Sequence, residues 1–525
     1  MTPGTVDGPE CRHRSYADHN NFRTITTLDG VIRLTSTIRR CPNPACSRFL
    51  RPYRPEAEPH FAWPYHELGL DIRALVGRPR DAEHRSIPEI HRELTRRGII
   101  GARRTVTNLR DRSDELRALA TADPDRLGPR LREQGRVLLA IDGLQPDVGP
   151  EVLWVVRDCL SGEILLAQGL LSSTARDRAG LIDPVRKAPP VPITGVVSDG
   201  QEGLRKAVAQ ALKGVPHQLG HFHSLREAAR PISEAERQAR DELKERVRGI
   251  RPIARAAEEK AEDGEDDAEA EVVRGSCAAV RAAWTDDGRP PLAASGLERP
   301  DRLSRIAARR DQVAARAGDV PGGWGRLRRS LRRGLEETAA LFPAVRESYR
   351  WVKRAARILT NAAAWPAKEV RRRLVQLLVR LRRAAAPTDE PSVRAGLKPF
   401  LKVTRSSWPG LFHGSASADL PRTTHDLEHA VGSHRSHERR ASGRRRAAPG
   451  LVVMGSARVI SGLATRLRPD EGLVLGPGSV ADWKELRAEL EARRESRRKQ
   501  RRFRHDPDAY LKDLEHRCLQ LTLPP

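Results

Sequence analysis

Two aspartates close apolar strands in this chain. Asp142 follows the run RVLLAI and precedes Gly143; Asp199 follows ITGVVS and precedes Gly200. A carboxylate at the end of a buried strand is costly to desolvate unless it has a partner or a task. Asp-Gly is also a turn signal, so either pair alone says little. A third acid comes from PRTTHDLEHAVGSHRSHERRASGRRR. Thr423, Thr424 and Asp426 suit a helix start and put Glu428 in the first turns, with Leu427, Ala430 and Val431 as the apolar face. Asp426 and Glu438 are its rivals, and for Glu438 the plain alternative is pairing with Arg439 or Arg440 in a basic run. Carboxylate oxygens are what hard divalent cations bind. Two such ions ~3.5–4 Å apart activate an attacking oxygen and stabilise a leaving one in phosphodiester displacement. In that chemistry Asp142 bridges two Mg²⁺ (or Mn²⁺) ions, and Asp199 and Glu428 each hold one.

The elements needed to bring such acids together are legible around them. RVLLAID, EVLWVVRD and EILLAQGLL are three consecutive apolar strands, with Ser161-Gly162 turning between the last two. DRAGLIDPVRKA has helical character, ITGVVSD is a fourth strand, EGLRKAVAQALKG is an amphipathic helix ended by Gly214, and HQLGHFHSL is a short fifth strand. The order β-β-β-α-β-α-β, with the first three strands antiparallel, describes a ribonuclease H-like core with a mixed sheet. In such a sheet the fourth strand lies beside the first, which brings Asp142 and Asp199 onto neighbouring strands. The third acid then lies on a later helix packed across the sheet, so a large helical insertion must precede Glu428.

The front of the chain has two small modules. Cys11, His13, His19, Cys41 and Cys46 flank FRTITTLDGVIRLTSTIRR, which alternates as a hairpin with an Asp29-Gly30 turn signal. Ligand clusters flanking a hairpin build a zinc ribbon. Cys41 and Cys46, with Pro42, Asn43 and Pro44 between them, form a good knuckle, and Cys11 must recruit His13 or His19. The set Cys11, His13, Cys41, Cys46 is therefore the candidate for structural Zn²⁺; the alternative is free thiols beside a hairpin. In SIPEIHRELTRRGIIGARRTVTNLRDR, Ser86 is an N-cap and Ile87, Ile90 and Leu94 keep helical spacing. Gly98 then breaks the pattern, and a short basic helix follows. Val106 and Leu109 face inward on it, with Arg103, Arg104, Thr105, Thr107, Asn108 and Arg110 outward. This is the pattern of a helix-turn-helix, with Arg103, Arg104 and Asn108 as DNA-reading candidates.

Beyond the fifth strand the composition is helical. Val370, Leu374, Leu377, Leu378 and Leu381 make one apolar face, and Trp324, Trp351, Trp365 and Trp408 are expected to pack the bundle rather than stack on bases. The acidic tract 258–271 is read as a solvated loop or frayed helix. GLVVMG (450–455) has the character of one more strand, and residues 493–504 form an Arg-rich helix. The expected organisation is multidomain α/β. A zinc-ribbon-like segment occupies 1–60 and a helix-turn-helix region 61–130. The ribonuclease H-like core spans 131–224 and 421–470, interrupted by a helical insertion at 225–420, and a basic tail follows at 471–525.

The chain has 525 residues and a net charge of +26, with pI near 10.8. Such a balance points to an acidic polymer as partner, and Arg, which far outnumbers Lys, is the better bidentate phosphate ligand. There is no apolar run of membrane-spanning length and no signal-like N-terminus. Six scattered Cys are no disulfide framework. A cytoplasmic, nucleoid-associated protein is expected.

The segments LLAIDGLQPDVGPEVLWVVRD, GVVSDGQEGLRKAV, PHQLGHFHSLREAARPI and THDLEHAVGSHR resemble bacterial insertion-sequence transposases of the DDE type, similar to the Mutator-like group. The resemblance covers roughly residues 10–470. It implies an Asp142, Asp199, Glu428 triad with Mg²⁺, binding of double-stranded DNA at element ends and target, 3′-end cleavage with strand transfer, and at least a dimer on DNA. Related enzymes often carry Cys-x-x-His or Cys-His-x-His after the fifth strand. Here Gly220 stands in place of that Cys, followed by His221 and His223. His223 is the candidate site-proximal residue contacting DNA or the third acid; the alternative is a buried, hydrogen-bonded histidine. Two other readings stay open: a ribonuclease H-like nuclease without strand transfer, and a non-catalytic DNA-binding protein derived from a transposase.

Overall fold

The computed structural model describes every residue except 5, 8–10, 63–65, 146–150, 172–173, 248–249, 263–267, 285–293, 319–321, 386–390, 445–448, 468–479 and 523–525. The chain is mixed α/β and 66% helical, with a mixed five-stranded sheet. The sheet consists of β3 (Val137–Leu144), β4 (Val152–Asp158), β5 (Ile164–Leu170), β6 (Ile193–Ser198) and β7 (His217–Leu219), in the order β5-β4-β3-β6-β7. β3 and β4 pair antiparallel with Asp142 opposite Val155, and β4 and β5 pair antiparallel with Val155 opposite Ala167. β3 runs two residues past Asp142, so this acid sits within the strand rather than at its end. At Gly143 a Cβ would meet Val152 Cγ1 at 3.1 Å, so a larger residue would have to displace that side chain.

Chain contacts divide the protein into two compact units. One comprises 1–196, 203–215 and 424–525; the other comprises 197–202 and 216–423. The first begins with a hairpin of β1 (Tyr16–Thr27) and β2 (Gly30–Arg40), turning through Leu28 and Asp29 with Gly30 at φ +126°. A short α1 (Glu58–Phe61) follows. α2 (Leu70–Asp81), α3 (Ile87–Arg96) and α4 (Arg103–Ala122) then enclose a core of Ile72, Val76, Ile90, Leu94, Ile99, Val106 and Leu109. α4 is twenty residues long, not the short helix that the sequence suggested. Its outer half remains amphipathic through Leu116 and Ala118, which pack against C-terminal segments absent from any local window. α5 (Pro124–Gln134), α6 (Ala175–Lys187) and α7 (Glu202–Ala211) flank the sheet over Leu139, Ile141, Trp154, Val156 and Val196.

The same unit is completed by α17 (His425–Ser442), α18 (Pro449–Leu467), α19 (Val480–His505) and α20 (Pro507–Thr522). The segment GLVVMG is helical, not a strand: it opens α18, which kinks at Gly455 (φ 39°, ψ −114°). A Cβ at Gly455 would come within 2.9 Å of Arg493 Nη2, so the kink and the close approach of α19 both need glycine. An apolar run of six residues does not by itself separate strand from buried helix.

The second unit is a helical bundle. It holds α8 (His221–Arg246), α9 (Ile250–Glu262), α10 (Ala268–Ala283), α11 (Ser295–Ala317), α12 (Gly322–Thr338), α13 (Phe342–Thr360), α14 (Ala367–Ala385), α15 (Pro391–Ser407) and α16 (His413–Ala416). Val370, Leu374, Leu377 and Leu381 are buried on α14, with Leu378 packed beside them, as their spacing predicts. Trp324 and Trp351 are core residues, and Trp365 and Trp408 lie against that core. The acidic tract is helical at both ends, in α9 and α10; residues 263–267 lie outside the described residues. The fifth strand is only three residues long and ends at Leu219, because His221 already starts α8. Among the described residues no helix is long and apolar enough to cross a membrane.

Candidate metal centre and candidate active-site acids

The hairpin brings three cysteines together. Cys11 precedes β1, and Cys41 and Cys46 follow β2; their sulfurs lie within 4.8 Å of one another, Cys11 to Cys41 being 3.3 Å. The knuckle is held by its own backbone. Cys46 N donates to Asn43 O (3.0 Å), Ala45 N to Asn43 Oδ1 (3.0 Å), Leu50 N to Cys41 O (3.1 Å), and Arg48 N to Cys46 Sγ (3.4 Å). Sulfurs around a tetrahedral Zn²⁺, with Zn–S of about 2.3 Å, stand about 3.8 Å apart, so the cluster fits a metal such as zinc. The Cys11 thiol is drawn down to about 7 by the His13 backbone N–H and then by Cys41. Cys41 is raised: the Asn43 backbone N–H opposes this, but burial and the neighbouring Cys11 and Cys46 sulfurs outweigh it. The thiolate is the form in which cysteine binds a metal.

His13 is beside the cluster but not in the converging set. Its Nδ1 lies 3.2 Å from Cys11 O and 3.3 Å from Asn43 Nδ2. His19 is on β1, bonded to Asp18 at 2.8 Å. The structure thus shows three of the four expected ligands together. Among the described residues, this is the one group of three or more potential ligands that converges so closely.

The three acids of the candidate active site lie inside a strand, after a strand end and in a first helical turn, and they do not form a group whose ligand atoms lie within 4.8 Å of one another. Asp142, half-buried in β3, accepts from Gly143 N through Oδ1 (2.8 Å). Asp199 follows the last residue of β6 and accepts from Gln201 N (3.1 Å), with Gly200 at φ +82° turning the chain into α7. Glu428 is in the first turn of α17, and its Oε1 accepts from the Thr424 hydroxyl at the N-cap. α17 packs along β3, with Leu427 and Val431 buried and Arg435 donating to Gln145 O just beyond the strand. Asp426, by contrast, is exposed.

Glu438 is occupied elsewhere. It is fully buried and accepts from Arg110 Nη2 at 2.8 Å, with Arg80 Nη2 at 3.6 Å. Burial alone would raise its carboxyl, but Arg110, Arg458 and Arg80 hold it well below the usual carboxylate range. The partners are therefore residues far away in sequence, not the adjacent Arg439 and Arg440 that the basic run suggested. The same contact corrects the reading of Arg110 as an outward residue of the second helix: it is 7% exposed.

The helix, glycine turn and basic second helix are present, the second helix being longer than expected. Ser86 caps α3, its backbone N and hydroxyl both donating to Glu89 Oε2 at 2.7 Å. Gly98 takes φ +76° in the turn. Arg103, Arg104 and Asn108 are exposed on one side of α4, while Val106 and Leu109 are buried on the other. In the second unit, Gly220 N donates to Ser198 O (2.8 Å) and His221 N to Arg422 O (3.0 Å). The buried histidine is His221, whose Nε2 lies 2.7 Å from Leu411 O. His223 is half-buried on the first turn of α8 and accepts from Arg226 Nη2 through Nδ1 (2.9 Å).

Comparison with protein-family models and with curated proteins finds no match to this chain. The reading of function rests on the residues themselves.

Several ionic residues escaped the sequence reading. Asp158 is completely buried and ties the β4–β5 turn, accepting from Leu138 N (3.0 Å), Ser161 N (2.8 Å) and Gln134 Nε2 (2.9 Å). Glu151 pairs with Arg493 and Arg497, and Glu115 with Arg487 and the Trp483 indole. Part of the basic C-terminal helix is therefore an internal clamp. No local pattern marks Glu151 and Glu115, because their α19 partners lie hundreds of positions away.

Proposed function

We propose that this protein is a DNA transposase of the DDE type, with a ribonuclease H-like core, that binds the ends of its element and carries out Mg²⁺-dependent 3′-end cleavage and strand transfer. The observation that carries the reading is the strand order: β6 neighbours β3, Asp142 lies in β3, and Asp199 directly follows β6. The helix bearing Glu428 runs over β3. Asp142, Asp199 and Glu428 are the proposed Mg²⁺ (or Mn²⁺) ligands; water is the first nucleophile and the freed 3′-hydroxyl the second. The Cys11, Cys41, Cys46 cluster is proposed to hold a structural Zn²⁺, with His13 as the nearest further donor. The exposed face of α4 at Arg103, Arg104 and Asn108 is the proposed reader of double-stranded DNA, and two ends are proposed to be paired by at least a dimer.

The deciding experiment is a strand-transfer assay with the DNA that flanks the gene, in Mg²⁺. Joined products from the wild type support the reading. Cleavage without joining supports a nuclease instead. Sequence-specific binding without either supports a non-catalytic DNA-binding descendant, a reading favoured by Gly220 in the position where related enzymes carry Cys. Terminal inverted repeats in the flanks separate an active element from that descendant.

A further inference from the structure

α4 does two jobs on its two faces. Its N-terminal turns expose Arg103, Arg104 and Asn108. Its other face carries a row of charges, Arg110, Asp114 and Glu115 buried and Asp111 partly so, that together grip three C-terminal helices. Arg110 holds Glu438 on α17 (2.8 Å). Asp114 accepts from Arg458 Nε on α18 (3.0 Å). Asp111 accepts from both Arg458 on α18 (2.7 Å) and Arg494 on α19 (3.0 Å). Glu115 accepts from Trp483 Nε1 (2.9 Å) and Arg487 Nη1 (2.6 Å) on α19. No glycine or proline interrupts Arg103–Ala122, so α4 has none of the usual causes of a kink.

This clasp is not what packing alone would choose. Replacing a buried ion pair by apolar side chains of similar volume is often neutral or stabilising. What the pair adds is direction: a guanidinium hydrogen bond fixes the rotation of a helix where an apolar contact lets it slide. Arg80 adds a second fix on the same helix, donating to Ala441 O at 2.9 Å. The helix so fixed is the one that carries Glu428 and lies over β3.

We propose that α4 is a strut through which a duplex docked on its N-terminal face sets the rotation of α17, with Arg110 and Glu438 as the positioning pair. Recognition of DNA would then order the helix of the third acid before cleavage begins. The proposal rests on the reading of α4 as the DNA-facing helix and of Glu428 as a metal-binding acid.

The test uses the full-length protein and duplexes selected from a random-sequence pool by their binding to it. Hydrogen exchange is followed in the segment spanning residues 424–432, with and without duplex. Exchange in the wild type should slow at least about fivefold, the lower end of ordinary coupling factors. Glu438→Gln, and the doubly substituted Arg110→Met/Glu438→Met protein, should bind the duplex as the wild type does yet lose that slowing. Where the duplex is nicked in Mg²⁺, both should lower turnover without changing the half-saturating duplex concentration. The double substitution removes both members of the pair together, and Arg80 keeps its hydrogen bonds to Ala441 O and Arg85 O, so it decides the matter if Glu438→Gln does not fold. Unchanged exchange in the wild type on duplex binding, or full coupling in the double variant, overturns the proposal. Absence of nicking in the wild type counts against the transposase reading, and the exchange measurement still decides this one.

Discussion

Glu428 and Glu438 share one helix and differ in everything that decides a role. Glu428 is half-buried at the N-cap turn, bonded to the Thr424 hydroxyl. Glu438 is sealed among Arg110 and Arg80. Their alanine variants should therefore fail differently. On the proposed transposase reading, Glu428→Ala, like Asp142→Ala and Asp199→Ala, is expected to abolish nicking and joining while leaving end binding intact, since the proposed two-metal site could not hold both ions on two carboxylates. Glu438→Ala should instead lower stability by about 3–5 kcal/mol, the cost of stranding a buried charge; parallel melting and binding curves separate the two outcomes. In the same cluster Asp81 is buried, and burial with the nearby Asp114 charge lifts its carboxyl from 3.8 to about 6. A carboxyl raised on folding is no burden below its unfolded value and becomes one as pH rises through its folded value. Wild type should thus lose thermal stability relative to Asp81→Asn between pH of about 4 and 6, a difference read from paired melting curves. For the cysteine cluster, freshly reduced protein should carry about one Zn²⁺ per chain, and Cys41→Ser or Cys46→Ser should remove it. Metal analysis showing none in the wild type would refute the assignment.

At the scale of elements, the hairpin and α4 each position a candidate site by a different device. The hairpin is a spacer: its two-residue turn fixes the register, and the register brings Cys11 back beside Cys41 across the open end. α4 is a two-sided beam. Its exposed Arg103, Arg104 and Asn108 should confer preference, not bulk affinity, because phosphate contacts are spread over many basic residues and carry no sequence information. The triple alanine variant is expected to lose discrimination by about 1–3 kcal/mol for each base contact removed, with non-specific affinity much less changed. Competition binding between selected and random duplexes measures it; full discrimination in the triple variant would exclude the α3–α4 pair as the reader.

For the whole molecule, the net charge of +26 is only partly available to a ligand. Arg487, Arg493, Arg494 and Arg497 of α19 are paired with Glu115, Glu151 and Asp111 inside the first unit. The remainder of α19, from Arg498 to Arg504, is exposed. DNA affinity should fall steeply with salt, by a slope near 0.9 per phosphate neutralised on a log–log plot. Arg501→Ala and Arg502→Ala should each shallow that slope, whereas Arg493→Ala should act through stability. Titrations at several ionic strengths, with melting curves alongside, distinguish these outcomes.

The sequence by itself determined the elements whose signals are local. Five strands emerged from apolar runs, Ser86 and Thr424 from capping chemistry, the hairpin from alternation and Asp29-Gly30, and the bundle faces from the spacing of Val370, Leu374, Leu377 and Leu381. It also put Asp199 at a strand end and Glu428 in a first helical turn, but it set Asp142 at the end of a strand that in fact continues to Leu144. Tertiary structure decided what depends on partners distant in the chain. Arg110 and Glu438 look like surface charges in any window of sequence, and only the packing of α4 on α17 makes them a buried pair. GLVVMG satisfies strand and buried helix equally, and its neighbours chose helix. The short fifth strand stops at Leu219 because His221 already begins α8. Hydrogen bonds and apolar periodicity within a few residues are written locally; the burial of a charge depends on which distant helix arrives to cover it.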